Sequence, residues 1–363
     1  MTESEQTQVG REESEPNRLS WDAIPLTTRA GIIPFLKVES CLSLDLSMTN
    51  HEARPHLVRS YKDMRSCAFD RYLYTEKDGF GALRWVMQRG IDLRGFRLEV
   101  GGRRGSGGIL YELIWDGEVE IAEYYVTRGE LHDVDEYKGR GTALVSAAAW
   151  GYLTIVKGLL DAGADMDKTD DGGGTPLSGA ARLGHTEVVQ ALLDAGADMD
   201  KANDEGETPL YGAAWGGHIK VVQALVDAGA DKDKADNFGG TPLYGAAREG
   251  HTEVVQALVD AGADKDKADD GGWTPLYRAA WRGYIEVVQA LLDAGADMDK
   301  ADDEGETPLY GAAWEGHTKV VQALLDAGAD WTKKTHEGGT ALDIAKEKGR
   351  QEIALLLEQA GAS

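Results

Sequence analysis

Cysteine is almost missing from this chain. In 363 residues only Cys41 and Cys67 occur, without the spacing of a metal site or a disulfide framework, which argues against a disulfide-stapled fold and suits a reducing compartment. Long apolar runs are missing too. No stretch approaches the ~20 residues that a membrane span needs, and residues 1–18 are polar and acidic, unlike a secretory leader. Positive charge is scarce, with 38 Lys and Arg against 63 Asp and Glu, a formal charge of -25 and a pI near 4.7. A phosphate backbone or an anionic bilayer needs a basic face, so neither nucleic acid nor membrane is expected as a partner. The chain reads as soluble and intracellular, in cytoplasm or nucleus, and as a monomer.

Catalytic signatures are missing as well. There is no GxSxG, no HExxH and no Cys–His pair with a third group to orient it. The segment GGRRGSGG at 101–108 lacks the Gly-Lys-Ser/Thr ending and the preceding strand of a phosphate loop, and is expected to be a flexible finger. Arg103, Arg104, Gly105 and Ser106 resemble a basophilic kinase site, and a phosphate on Ser106 beside the two arginines would order that loop. Asp165, Asp167, Asp170 and Asp171 precede Gly172, but the sixth position counted from Asp165 is Asp170, where a calcium loop of the EF-hand type requires Gly. Solvated turns are expected there. No enzyme, cofactor or metal is expected.

What the chain has in abundance is itself. Thr recurs at 142, 175, 208, 241, 274, 307 and 340, a step of 33 residues each time, and a period of that length signals a solenoid whose units stack on their neighbours. In the unit beginning at Thr208, the Thr caps a helix and Pro209 takes its first position, where a missing N–H costs nothing. Leu210, Ala213 and Ala214 form a narrow apolar stripe before Gly216 and Gly217 stop the helix. A second helix carries Val221, Val222, Leu225 and Val226 and ends at Gly229. The Asp-, Lys- and Gly-rich run at 230–240 is an extended turn projecting from the pair.

The spacing of Gly-x-Thr-Pro-Leu, Ala-Ala, Gly-His, Val-Val, Leu-Leu and Gly-Ala-Asp resembles the ankyrin repeat. The resemblance implies an all-α solenoid with β-turn fingers, whose fingers and first helices line a concave groove used to bind other proteins. Seven repeats are assigned to residues 139–363, the last a C-terminal cap. Two departures stand out: Tyr211, Tyr244, Tyr277 and Tyr310 replace the family's His, with loss of its bond to the Thr, and Gly212, Gly245, Arg278 and Gly311 replace the following Leu. Each helix-interior Gly costs about 1 kcal/mol relative to Ala, which would soften these helices.

Ahead of the array, residues 1–20 have the composition of a disordered acidic tail. Residues 21–62 form a small helical region. Ile24-Pro25, Ile32-Ile33-Pro34-Phe35-Leu36 and Leu42-Ser43-Leu44-Asp45 faintly resemble an F-box, which would imply Skp1 as a partner and a role as substrate receptor of a ubiquitin ligase. A helical cap on the solenoid is the favoured reading. Degenerate repeats are expected over 63–138, from Ala82–Leu93 and from the segment between Gly117 and Gly129.

Positions that vary between near-identical repeats carry the functional reading. Seven residues after each Thr from 142 to 307 stand Ala149, Arg182, Trp215, Arg248, Trp281 and Trp314, and a site that accepts both Trp and Arg reaches solvent. The next position supplies Trp150 and Arg282, and the finger tips Phe238 and Trp273. By resemblance these nine residues (Trp150, Arg182, Trp215, Phe238, Arg248, Trp273, Trp281, Arg282 and Trp314) face the groove. The alternative is that the tryptophans only cover the neighbouring repeat's alanines.

Overall fold

Apolar residues on two short stripes per unit dictate paired helices, and the computed structural model shows them. It describes residues 106–361, apart from 128–130, 132 and 138–140. The F-box-like segment, the two cysteines and Ala82–Leu93 lie outside the described residues. Sixteen helices occur, with no strand among the described residues. They pair as α1 (Ser106–Trp115) with α2 (Val119–Val126), α3 (Ala143–Ala149) with α4 (Leu153–Asp161), and α5 (Pro176–Arg182) with α6 (Thr186–Asp194). There follow α7 (Pro209–Trp215) with α8 (Ile219–Ala228), α9 (Pro242–Glu249) with α10 (Thr252–Asp260), and α11 (Pro275–Arg282) with α12 (Ile285–Asp293). The last pairs are α13 (Pro308–Glu315) with α14 (Thr318–Ala327), and α15 (Ala341–Glu347) with α16 (Gln351–Ala360). First helices pack on first helices and second on second, so two helical layers run along the array.

The local signals act as expected. Oγ1 of each Thr from Thr142 to Thr340 accepts a hydrogen bond from the backbone N–H three residues on, and Pro opens α5, α7, α9, α11 and α13. The core is the Leu-Ala-Ala stripe of the first helices, such as Leu210, Ala213 and Ala214, against the Val-Val-Leu stripe of the second, such as Val221, Val222 and Leu225, all fully buried. The small alanines let the two layers approach closely.

The recurrent His works across the repeat boundary. Nε2 of His185, His218, His251 and His317 lies 2.9–3.0 Å from the carbonyl oxygen of Ala149, Arg182, Trp215 and Trp281, at the end of the preceding first helix. In the last repeat Arg350 takes this place and donates to the Trp314 carbonyl. Each His thus satisfies a carbonyl that the helix end leaves open.

The fingers are tied by a second periodic set. Within one finger Asp200 N–H donates to Asp198 Oδ1; across the boundary Asp198 N–H donates to Asp167 Oδ1, and Lys201 Nζ donates to the Asp167 carbonyl at 2.6 Å. The same triplet repeats through Lys234, Lys267, Lys300 and Lys333. At the tips, Asp170, Asn203, Asp236, Asp269 and Asp302 each accept two backbone N–H bonds through one side-chain oxygen, closing a tight turn. Those four acids and Asn203 are therefore engaged by backbone.

Ahead of Thr142, helices α1 and α2 stack on α3 and α4. Asp135 already takes part in the finger ladder, accepting from Asp165 N–H and Lys168 Nζ. The expectation of a flexible finger over 101–108 fails at its end, because Ser106–Gly108 form the first turn of α1. The run from Ile109 to Ile114 needs that turn upstream to bury Leu110, Leu113 and Ile114, and glycines are tolerated in a first turn. No described helix is long and apolar enough to cross a membrane.

Candidate functional site: an aromatic and acidic face along the first helices

The Thr caps fix the start of the first helices from α3 to α15, with Pro behind the Thr in five of them, and the residue seven positions on therefore emerges at the same place in each of these repeats, beside the finger. Trp215 stacks on Tyr211 of its own helix, with centroids 6.1 Å apart. The guanidinium carbon of Arg248, from the next repeat, sits 4.7 Å from the Trp215 ring centre. Trp273 stacks on Tyr277, Tyr277 on Trp281 and Trp281 on Trp314, at centroid distances of 6.1, 6.1 and 6.3 Å. Lys348 Nζ closes this train 3.7 Å from the Trp314 ring centre. Trp215, Trp281 and Trp314 are half-buried, between open contact surface and pure packing.

What lies beneath them explains an oddity of the sequence. A Cβ on Gly245 would stand 3.6 Å from Trp215 Cε3, and one on Gly311 3.2 Å from Trp281 Cε3. The glycine four residues after each of these Thr gives the preceding repeat's indole a flat backbone to lie on. Where the preceding residue is Arg248, the glycine is replaced by Arg278. That guanidinium lies 3.8 Å from the Trp273 ring centre and donates from Nε to the Tyr244 hydroxyl at 2.6 Å.

The four tyrosines do not merely lose a bond. In all four Thr Oγ1 is satisfied by the Tyr backbone N–H, and in Tyr211, Tyr244 and Tyr277 the phenol reaches forward to the next finger. Tyr244 donates to Asp269 Oδ2 at 2.7 Å and Tyr277 to Glu306 Oε2 at 2.8 Å, while Tyr211 pairs with Asp236. Burial first, then the bond to Asp269, pushes the Tyr244 phenol up to about 12. Tyr211 and Tyr277 are raised for the same reasons, led by burial. Burial also raises the Glu306 carboxyl, against the opposing effect of the Tyr277 bond.

One cleft opens between the fingers and this face, with a volume of about 330 Å³. Tyr211, Trp215, Phe238, Tyr244, Arg248 and Arg278 wall it, together with Glu205, Glu207, Asp236 and Asp269. Of the residues singled out from the sequence, Trp215, Phe238 and Arg248 meet in this cleft. Trp273, Trp281 and Trp314 form the stacked train, and Trp273 Nε1 is further tied to Asp302 at 2.8 Å. Arg182 is exposed, with Nη1 3.7 Å from Glu207. Trp150 is 55% exposed at the end of α3 and Arg282 is exposed at the end of α11, a second row beyond the cleft.

Sequence reasoning passed over Tyr211, Tyr244 and Arg278 as cleft walls, and Trp115. Trp115 stacks on Tyr111 at 6.1 Å, as Trp215 does on Tyr211, and is 53% exposed. The signal was there: Tyr and Trp four residues apart recur at 111/115, 211/215, 277/281 and 310/314.

Residues 144–236 and 229–302 match the family described as ankyrin repeats (3 copies), and residues 282–325 that described as ankyrin repeats (many copies). Among solved structures, the crystal structure of the human ASB11 ankyrin repeat domain is similar, with 29% identity and a TM-score of 0.55 over 59% of this chain and 96% of that one. Comparison with curated proteins gave no match. The paired helices, the Thr-Pro caps and the ladder of fingers are those of ankyrin repeats, and the chain is an ankyrin-repeat protein.

Proposed function

We propose that the array is a non-enzymatic scaffold, cytoplasmic or nuclear and acting as a monomer, that holds one protein partner along the face of its first helices. The observation that supports this is the row of half-buried Trp and Arg side chains emerging at one offset through consecutive repeats, with the exposed acids Asp204, Glu205, Asp303 and Glu304 on the fingers beside it. Trp, Tyr and Arg dominate interface hot spots. The partner that complements this face carries an apolar or aromatic ridge flanked by basic residues. Salt weakens the complex through the acidic rim, chiefly by slowing association. The Skp1-recruiting alternative rests on residues 21–62, and no observation on the described residues favours it.

The test is affinity capture with the full chain, followed by titration of the captured partner against Trp281→Ala and Gln256→Ala. Gln256 lies exposed on α10, in the other helical layer, with its amide on Asp260. Trp281→Ala is expected to weaken binding by about 2 kcal/mol or more and Gln256→Ala to leave it unchanged. Because Trp281 also stacks on Tyr277 and Trp314, thermal unfolding is followed in parallel. Equal loss from both variants, or lost stability with intact binding, overturns the reading.

A further inference from the structure

The cleft beside Trp215 differs from the rest of the face. In the Trp273–Trp314 train the rings lie against one another, Trp273 Nε1 is bound to Asp302 and the Tyr277 hydroxyl to Glu306, and Lys348 covers Trp314. At 205–248 the fingers stand away from the helices and leave about 330 Å³ open. Phe238, at the tip of its finger, is 69% exposed, the most exposed large apolar side chain described. Its neighbour across the finger ladder is Glu205, whose carbonyl accepts from Asn237 N–H. The Glu205 carboxylate has no partner among the described residues, whereas Asp236 and Asp269 are held by backbone amides and phenols and Glu207 by Asn203.

Arg248 Nε is buried without a hydrogen-bond partner, its closest acid being Glu249 at 3.7 Å. Arg248 contributes to the cleft through its stack on Trp215, which closes one wall. The array also shows how this surface seats a guanidinium. Arg278 lies flat 3.8 Å from the centre of an indole ring and bonds a phenol that is itself held by a carboxylate. An aromatic plate, a carboxylate and a slot between them are the requirements, and the open cleft has them in Phe238 and Glu205.

Resting on the proposed function, we infer that this cleft takes one arginine side chain from an extended segment of the partner. Its guanidinium lies on the Phe238 ring and pairs with Glu205. Arginine is named over lysine because only a planar, forked cation can stack on a ring and meet a carboxylate at once. Four carboxylates against two guanidinium groups in the lining leave the cleft net negative, which is the charge complement of that side chain.

The test is selection of short random peptides on the full-length protein, followed by titration of the best peptide and of its copy with citrulline, the neutral isostere, in place of arginine. Selected peptides are expected to share an Arg at one position, and citrulline to lower affinity about tenfold or more, as a lost charge-assisted bond does. Against Glu205→Gln the Arg and citrulline peptides should differ less than threefold, as for an exposed pair without its acid, and Phe238→Ala, which removes the plate and keeps the acid, should weaken both peptides; both residues lie at exposed finger tips. Thermal unfolding confirms that each variant is folded. A fixed Lys, no fixed basic residue, no selected peptide, or an undiminished citrulline effect with Gln at 205 overturns the inference. If Trp281→Ala weakens the selected peptide while the cleft variants do not, the binding face stands and the arginine seat falls. If none of these variants weakens it, both fall.

Discussion

A phenol that leaves its own helix to meet the next finger changes what each tyrosine does for the array. Tyr277 is almost fully buried and donates to Glu306, a carboxyl already raised by burial. Removing the hydroxyl in Tyr277→Phe strands that acceptor, and urea unfolding should show a loss of about 1–2 kcal/mol. The same residues set an alkaline limit. An unfolded phenol ionises near pH 10, while Tyr244 in the fold keeps its proton to about 12. The unfolded chain therefore binds fewer protons in that interval, so stability is full below pH 10 and falls as pH rises towards 12. Unfolding titrations should show this decline, and Tyr244→Phe should make it shallower.

At the level of the single helix, the glycines that looked like weak points divide into two kinds. A methyl group added at 245 meets Trp215 at an ordinary 3.6 Å, whereas one at 311 meets Trp281 at 3.2 Å, inside comfortable contact. Gly245→Ala is expected to stabilise the array by up to about 1 kcal/mol, the ordinary helix preference. Gly311→Ala should gain less or lose, because the indole train must shift. Equal gains in thermal unfolding would show that the rings do not rest on the glycines. A stricter case is Gly158 on α4, where a Cβ would come within 2.5 Å of Val126 Cβ on α2.

The limits of the sequence can be seen in these same residues. Helix starts at Thr-Pro and stops at Gly were legible because cap, proline and stop all act within one repeat. The helical turn over Ser106–Gly108 was not, since its glycines hide a run that only burial of Leu110 and Leu113 settles. The carbonyl met by His251 lies 36 residues back and the acid met by Tyr244 lies 25 residues on, distances at which spacing says nothing until the stack exists. Trp115 escaped for a simpler reason: its repeat is one residue out of the 33-residue step to Thr142.

Over the whole array, stability is a sum of repeats and their nearest-neighbour contacts. The final pair α15 and α16 buries Ile344, Ile353 and Leu357 against the preceding repeat, and α15 opens with a reciprocal Thr340–Asp343 cap. Deleting residues 340–363 should fray the array from that end, and hydrogen exchange should show faster amides in α13 and α14 than in the repeats before them. Unchanged protection there would refute the capping role.

The finger ladder has one more implication. Because Asp167, Asp200, Asp233, Asp266 and Asp299 each offer the same oxygen and carbonyl to the following finger, any two repeats of the inner array present the same joint. Unequal recombination that removes or inserts a 33-residue unit can rejoin that joint in register. What such an event alters is the order of Trp and Arg along the face, so on the proposed reading of that face a chain of this design can change what it recognises in single steps while its folding is left almost untouched.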